Sequence, residues 1–82
     1  MKFNLAGATL EVIETDNIEH LGHTDPDKCV ICIKANQTQQ SKELTMTHEI
    51  VHAIMFTMGE RDHDERFVEG FAQLLYQYEK QL

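Results

Sequence analysis

The stretch 45-TMTHEIVHAIMF-56 places two histidines four residues apart, with a glutamate directly after the first. On an α-helix, residues at i and i+4 project side by side, so His48 and His52 can reach the same ion. Two explanations are open for this arrangement. The three side chains can lie by chance on a solvated helix face, or the imidazoles can hold a zinc ion with the carboxylate of Glu49 beside it.

The composition indicates one small folded domain over residues 1–82. Of the residues, 41% are hydrophobic and only one is proline, which is typical of a globular chain with a thin core. The 14 acidic and 7 basic residues give a net charge of −7, which argues against nucleic acid or an anionic membrane as a partner. Neither nucleic acid nor a membrane is therefore expected as a partner.

The same composition favours a cytoplasmic location. No apolar run approaches the roughly 18 residues of a membrane span. The N-terminal stretch MKFNLAGATLEVIETD turns acidic too early for a signal peptide. In a reducing compartment Cys29 and Cys32 are expected to be thiols.

The first part of the chain predicts a small sheet. The segments KFNLAG (2–7) and ATLEVIE (8–14) alternate as two strands joined near Gly7, and CVICIK (29–34) is a short β-branched run that predicts a third strand. The segment 15–28 between them is rich in Asp, Asn, Gly and Pro and is predicted to be irregular.

The second part predicts two helices, over 37–58 and 63–81, with Gly59 as a natural stop between them. A short connection favours an antiparallel pair. The fold class is therefore α+β: a short antiparallel or mixed sheet of about three strands on a helix pair that carries the metal site. The predicted apolar face of the first helix comprises Leu44, Ile50, Val51, Ile54, Met55 and Met58. That of the second comprises Phe67, Val68, Phe71, Leu74, Leu75 and Tyr78.

A hydrolytic zinc site needs three protein ligands and an open position, and the second helix offers Glu65 and Glu69. In an antiparallel hairpin, His52 lies about six residues before the turn and Glu69 about six after it. At about 1.5 Å per residue these two are level, whereas Glu65 is about 6 Å lower. The geometry of an ideal hairpin therefore favours Glu69.

The segment EGFA (69–72), after HEIVH (48–52), resembles the NEGFA segment of the large zinc aminopeptidases, in which the glutamate is the third zinc ligand. His48, Glu49 and His52 match the HExxH motif residue by residue. The chain is thus similar to the gluzincins, in size to the minigluzincins, and more distantly to the ImmA/IrrE-type peptidases. The resemblance implies a zincin-like metallopeptidase domain with one zinc ion on His48, His52 and Glu69.

The chain also departs from these families. The spacing between His52 and Glu69 is about two residues shorter than in the aminopeptidases. Gln73 stands where thermolysin-type enzymes have an aspartate. The larger families carry a downstream domain and an oxyanion-stabilising Tyr or His; no such domain is expected after Leu82, and His63 and Tyr76 are the side chains available as donors.

Two hypotheses follow. In the first, Glu49 is the general base of a zinc peptidase that acts on a peptide or protein, and the strand CVICIK is the sheet edge to which the substrate adds. In the second, the zinc domain is a regulatory or partner-binding module with little hydrolysis. In either case a protein partner or a second copy can complete the shallow cleft.

A second metal site is a weaker possibility. HLGH and CVIC together supply His20, His23, Cys29 and Cys32, which are ligand types of structural zinc. Cysteines three apart in one strand point to opposite faces, which argues against this site.

Overall fold

A computed structural model describes residues 1–82 as one sheet and two helices. The strands are β1 (Lys2–Leu5), β2 (Ala8–Thr15), β3 (Gly22–Asp25) and β4 (Val30–Lys34), and the helices are α1 (Gln39–Thr57) and α2 (Glu65–Glu79). The predicted α+β class is confirmed. Neither helix combines the length and the hydropathy that a membrane span requires.

The predicted hairpin near Gly7 is present. β1 and β2 pair antiparallel, with Leu5 opposite Ala8. The two loop residues, Ala6 and Gly7, have φ values of 50° and 85°. Positive φ at both loop positions matches the right-handed twist of the strands, so the short loop closes without splaying them.

The sheet has a fourth strand, which the sequence did not predict. The order is β1-β2-β4-β3, with β4 parallel to β2 and antiparallel to β3. The prediction that CVICIK forms the sheet edge is therefore wrong. The strand in that segment, β4, is internal, and its Ile31 and Ile33 are 0% and 2% exposed. The edge strands are β1 and β3, and β3 lies in the segment predicted to be irregular.

The edge strand β3 lies directly against α1, and Gly22 makes this possible. A Cβ atom on Gly22 would lie 2.6 Å from Cγ2 of Thr45 and 3.2 Å from Cγ of Glu49. Two residues along, the Thr24 hydroxyl donates to the Glu49 backbone carbonyl at 3.1 Å. The strand backbone at Gly22 is thus in close contact with α1 side chains at the level of the histidines.

Helix α1 begins after Thr38, whose side chain accepts from Ser41 N, and ends before Gly59, which has φ of 92°. It is packed on two sides. Met46, Ile50 and Ala53 face a cluster with Leu10 and the β4 isoleucines, while Val51 and Met55 face α2. Because the apolar contacts divide between two directions, the single predicted face is wrong in part: Ile54 is 38% and Met58 75% exposed.

Helix α2 begins after Asp64, whose carboxylate accepts from Arg66 N, and packs mainly on α1. Val68 and Ala72 are fully buried against Val51. No other element covers the far side of α2, so the prediction that its whole apolar face is buried is wrong for most of that face. The side chains of Phe67, Phe71, Leu74 and Tyr78 are at least half exposed.

A polar network joins the other ends of the two helices. The Tyr76 hydroxyl and the Lys80 ammonium both donate to Oε1 of Glu43, each at 2.8 Å. Hydrogen bonds from Lys80 and then Tyr76 lower the pKa of Glu43 to about 2. The network holds the start of α1 to the end of α2, on the side away from the histidines.

We expect Gly22→Ala to destabilise the fold, because the added methyl group meets the buried, β-branched Thr45 side chain. Overpacking of this kind costs about 1–3 kcal/mol, which lowers Tm by roughly 5–20 °C in a chain of this size. Thermal melting measures the change. Gly70→Ala is the matched control, since a Cβ there meets nothing within 4 Å and helix propensity favours Ala. Equal melting of Gly22→Ala and wild type would contradict the close contact.

We expect the Glu43 network to stabilise the fold only while Glu43 is ionised. Since its folded pKa is lowered from 4.5 to about 2, the stabilisation is complete above about 4.5 and is lost as pH falls toward about 2. The difference in Tm between wild type and Glu43→Gln should shrink over this window. Glu79→Gln, which removes an exposed carboxylate from the cavity that Glu43, Tyr76 and Lys80 also line, controls for net charge. A difference that does not change with pH would show that the network is not formed.

Candidate metal centre

His48, Glu49 and His52 all line a cavity of about 610 Å³ between β3, α1 and the start of α2; His48 and Glu49 also line a smaller one of about 310 Å³ beside Glu69. We call the larger one the histidine cavity, because all five histidines of the chain line it. Its lining residues are His20, Gly22, His23, Thr24, His48, Glu49, His52, Phe56, Arg61, His63 and Glu65. His48 and His52 are partly buried, so the chance placement on a solvated face does not describe them.

One carboxylate of α2 faces both imidazoles of the motif. Glu65 Oε1 lies 3.1 Å from His52 Nε2, and Glu65 Oε2 lies 3.5 Å from His48 Nε2. These three side chains each offer a ligand atom within 4.8 Å of the others, and no other group of His, Cys, Asp or Glu in the chain does so. Two imidazole nitrogens and a carboxylate oxygen are a ligand set that zinc prefers.

The other carboxylate of α2, Glu69, contacts the opposite side of His48. Glu69 Oε2 lies 2.9 Å from His48 Nδ1, and Glu69 Oε1 accepts from Gln73 at 2.7 Å. Counting levels from the turn predicted that Glu65 would be a full turn too low to meet the histidines. This counting is wrong, because α2 begins at Glu65 and the connection from Met58 to Asp64 is longer than assumed.

His52 has a second partner on its other nitrogen. Its Nδ1 lies 2.7 Å from Nδ1 of His63, and the two rings stack with centroids 4.9 Å apart. Burial lowers the pKa of the His52 imidazole, more than the carboxylates of Glu49 and Glu65 raise it. The neutral ring is the form that binds a metal ion.

Glu49 is buried, at 6% exposure, and not the solvated glutamate of the alternative explanation. The Thr24 hydroxyl lies 2.9 Å from its Oε1 and donates a hydrogen bond to it, in addition to its contact with the Glu49 carbonyl. The β3 strand therefore fixes the orientation of this carboxylate. Oε2 is left as the oxygen that can accept a proton from a molecule in the cavity.

The two side chains considered as oxyanion donors are engaged elsewhere. The Tyr76 hydroxyl donates to Glu43 and lines a different cavity. Both nitrogens of His63 have partners, His52 Nδ1 and the Glu60 carbonyl oxygen. The structure thus supplies no support for either residue in that role.

The second metal site considered from HLGH and CVIC is not assembled. His20 and His23 line the histidine cavity, but neither they nor the two cysteines belong to a group of metal-ligating atoms within reach of one another. Cys29 has φ of 54° and precedes β4, and only Cys32 lies within the strand.

The sequence did not predict the residues that contact Glu49 and His52 from behind, which are Gly22, Thr24 and His63. Thr24 and Gly22 lie in the segment predicted to be irregular, so nothing placed them beside Glu49. His63 was considered for a different role. The sequence carried no local signal for these contacts. Thr45 and Glu49 share one face of α1 and are buried beside Gly22, but polar residue types on a helix face predict solvent and not a neighbouring strand.

Comparison with known proteins gives one match. Residues 9–77 match the model of the Peptidase_M78 family, described as the IrrE N-terminal-like domain. No curated protein and no solved structure matches the chain. The match runs from within β2 to within α2 and includes every residue of the histidine cavity. It agrees with the most distant of the resemblances, to ImmA/IrrE-type peptidases. The chain belongs to the Peptidase_M78 family.

Proposed function

We propose that this chain is a zinc-dependent peptidase domain, with the ion held by His48, His52 and a glutamate of α2, and with Glu49 as the general base. The observation that supports it most is the convergence of the two Nε2 atoms on the Glu65 carboxylate inside the histidine cavity. The alternative with the same ligands is a binding module without hydrolysis, and activity assays separate the two.

The contacts favour Glu65 as the third ligand. Its carboxylate is the only one within 3.5 Å of Nε2 on both histidines. Glu69 instead faces Nδ1 of His48. There it accepts a hydrogen bond from Nδ1–H, which leaves the Nε2 lone pair free for the ion. A carboxylate in this position orients a metal-binding imidazole and increases its basicity. The assignment of Glu69 as the ligand itself, predicted from the sequence, is tested below.

The residues around the ion determine how a peptide would be hydrolysed. A bound zinc ion supplies Lewis acidity, which polarises a carbonyl and makes water a nucleophile near neutral pH. Glu49 accepts the proton of the attacking water on Oε2 and passes it to the leaving amine. Thr24 holds Oε1 at 2.9 Å, so the carboxylate does not have to reorient between the two proton transfers.

The β3 strand is suited to hold an extended peptide. Its position at the end of the sheet order leaves one side of its backbone without a strand partner, and an extended segment can add there through main-chain hydrogen bonds. Gly22 to Thr24 line the histidine cavity, so a peptide on this edge would pass beside the ion. The edge role predicted for CVICIK is thereby transferred to β3.

We expect Glu49→Gln to retain zinc and lose hydrolysis, since the amide can still accept from Thr24 but cannot take a proton. General-base catalysis contributes about 10²–10⁴-fold, so cleavage of casein or a peptide library should fall by at least that order. Zinc content is measured on the same samples. Glu19→Gln, an exposed position of equal charge change, is the control.

Wild-type protein that binds zinc at one equivalent and cleaves none of these substrates would contradict the peptidase proposal and favour the binding module. Glu49→Gln protein that cleaves as fast as wild type would show that another group is the base.

We expect chelation to lower Tm by an amount on the order of 10 °C, because the ligands join α1 to α2 only in the folded chain and metal affinity becomes folding free energy. Glu65→Ala should abolish most of the difference between zinc-loaded and EDTA-treated melts. Glu69→Ala should reduce it less. Each variant is compared with its own EDTA-treated form, which removes effects on helix α2 itself.

If Glu69→Ala removes the zinc-dependent stabilisation and Glu65→Ala does not, then Glu69 is the third ligand and our assignment is wrong. If EDTA changes no melting temperature, then zinc does not bind in this cavity.

A further inference from the structure

We propose that His63 is a positioning residue, which fixes the ring tautomer of His52 so that its Nε2 lone pair faces the ion. This inference rests on the proposed function only for the identity of the ion. The tautomer itself is a property of the metal-free protein. The inference is based on two short contacts in series. His52 Nδ1 lies 2.7 Å from His63 Nδ1, and His63 Nε2 lies 2.7 Å from the Glu60 carbonyl oxygen.

The carbonyl at the end of this chain determines where each proton lies. A carbonyl oxygen only accepts, so His63 Nε2 must carry a proton. In a neutral His63 ring, Nδ1 then has a lone pair and accepts from His52 Nδ1–H. A neutral His52 ring with its proton on Nδ1 has a bare Nε2, 3.1 Å from the Glu65 carboxylate. That carboxylate only accepts, so it competes for the ring proton until an ion lies between the two atoms or the carboxylate is removed. The direction of the chain thus presents a ligand atom to the metal site.

The Glu60 carbonyl is held in place by the end of α1. Gly59, at φ of 92°, lets the chain turn so that Glu60 N donates to the Met55 carbonyl at 2.9 Å and Gly59 N to the Phe56 carbonyl at 3.0 Å. These two bonds close the helix end in the manner of a Schellman motif. The terminal acceptor of the chain is therefore part of a defined turn.

The His63 ring is also fixed by packing. It contacts the Phe56 ring with centroids 4.3 Å apart and stacks on His52 with an interplanar angle of 15°. Arg61 covers Phe56, with its guanidinium carbon 5.7 Å from the ring centroid. His63 is thus held between two rings, and both of its nitrogens are bonded. It is suited to orient His52 and not to move with a substrate during a reaction.

His63 does for His52 what Glu69 does for His48. Each motif histidine has its Nδ1 bonded to a partner, Glu69 at 2.9 Å or His63 at 2.7 Å, and each has Nε2 directed to Glu65. Removing a partner of this kind typically weakens metal binding by about 10–100-fold. The inference gives His63 a role that accounts for both of its nitrogens, which the oxyanion role does not.

The test uses four substitutions and two measurements. The first measurement is the zinc affinity, by competition with a chromophoric chelator. His63→Ala should bind zinc about 10–100-fold more weakly. His63→Gln should recover most of the affinity, since its amide oxygen can accept from His52 while its NH₂ donates to the carbonyl. His20→Ala, an exposed histidine of the same cavity, should bind as wild type.

The second measurement is the ring tautomer of His52 in metal-free protein that carries Glu65→Ala, which removes the carboxylate 3.1 Å from Nε2. It is read from nitrogen–proton NMR correlations at a pH where the histidines are neutral. In this background, protein with His63 or with His63→Gln should show the Nδ1–H form, and His63→Ala should gain the Nε2–H form. An Nε2–H form in the Glu65→Ala background with His63 intact, or unchanged zinc affinity in His63→Ala alone, would overturn the inference. If the tautomer is as expected but no zinc binds, then the proposed function fails and the positioning role of His63 toward His52 stands.

Discussion

The close contact between β3 and α1 is the constraint on which the site depends. Gly22 lets the strand approach until its own backbone lies beside the side chains of Thr45 and Glu49. The Thr24 hydroxyl then bonds to both the carbonyl and the carboxylate of Glu49. A buried carboxylate without a donor would be costly in so small a core. The contact offsets that cost and at the same time turns Glu49 toward the cavity. It also places the free edge of the sheet beside the histidines.

The second helix is attached much less firmly than the first. Its buried apolar contact is limited to Val68 and Ala72 against Val51, with Met55 and Leu75 at the margin. Polar groups complete the attachment at both ends: Glu43 with Tyr76 and Lys80, and the motif histidines with Glu65 and Glu69. An ion between the helices would therefore stabilise the weakest junction of the fold. Stability and ligand geometry are coupled at the same residues.

The sequence predicted those features that local patterns determine. Gly7 indicated the hairpin, Gly59 the end of α1, and the spacing of His48 and His52 their common direction. It did not predict β3, because four residues containing Gly, His and Asp have little strand preference and form a strand only through pairing with β4. It also placed Phe67 and Phe71 in the core, since periodicity identifies an apolar face but not whether another element covers it. The choice between Glu65 and Glu69 as the third ligand depended on the residue at which α2 begins. Counting residues along ideal helices does not determine that residue.

The central claim is that Nε2 of both motif histidines and a carboxylate of α2 converge on one zinc ion. A crystal structure of the zinc-loaded protein, with anomalous data collected on both sides of the zinc absorption edge, tests this directly. We expect one anomalous peak in the histidine cavity, bonded to Nε2 of His48 and His52 and to Glu65, with Glu69 and His63 on the two Nδ1 atoms. A peak bonded through Nδ1, or no peak in this cavity, would contradict the account.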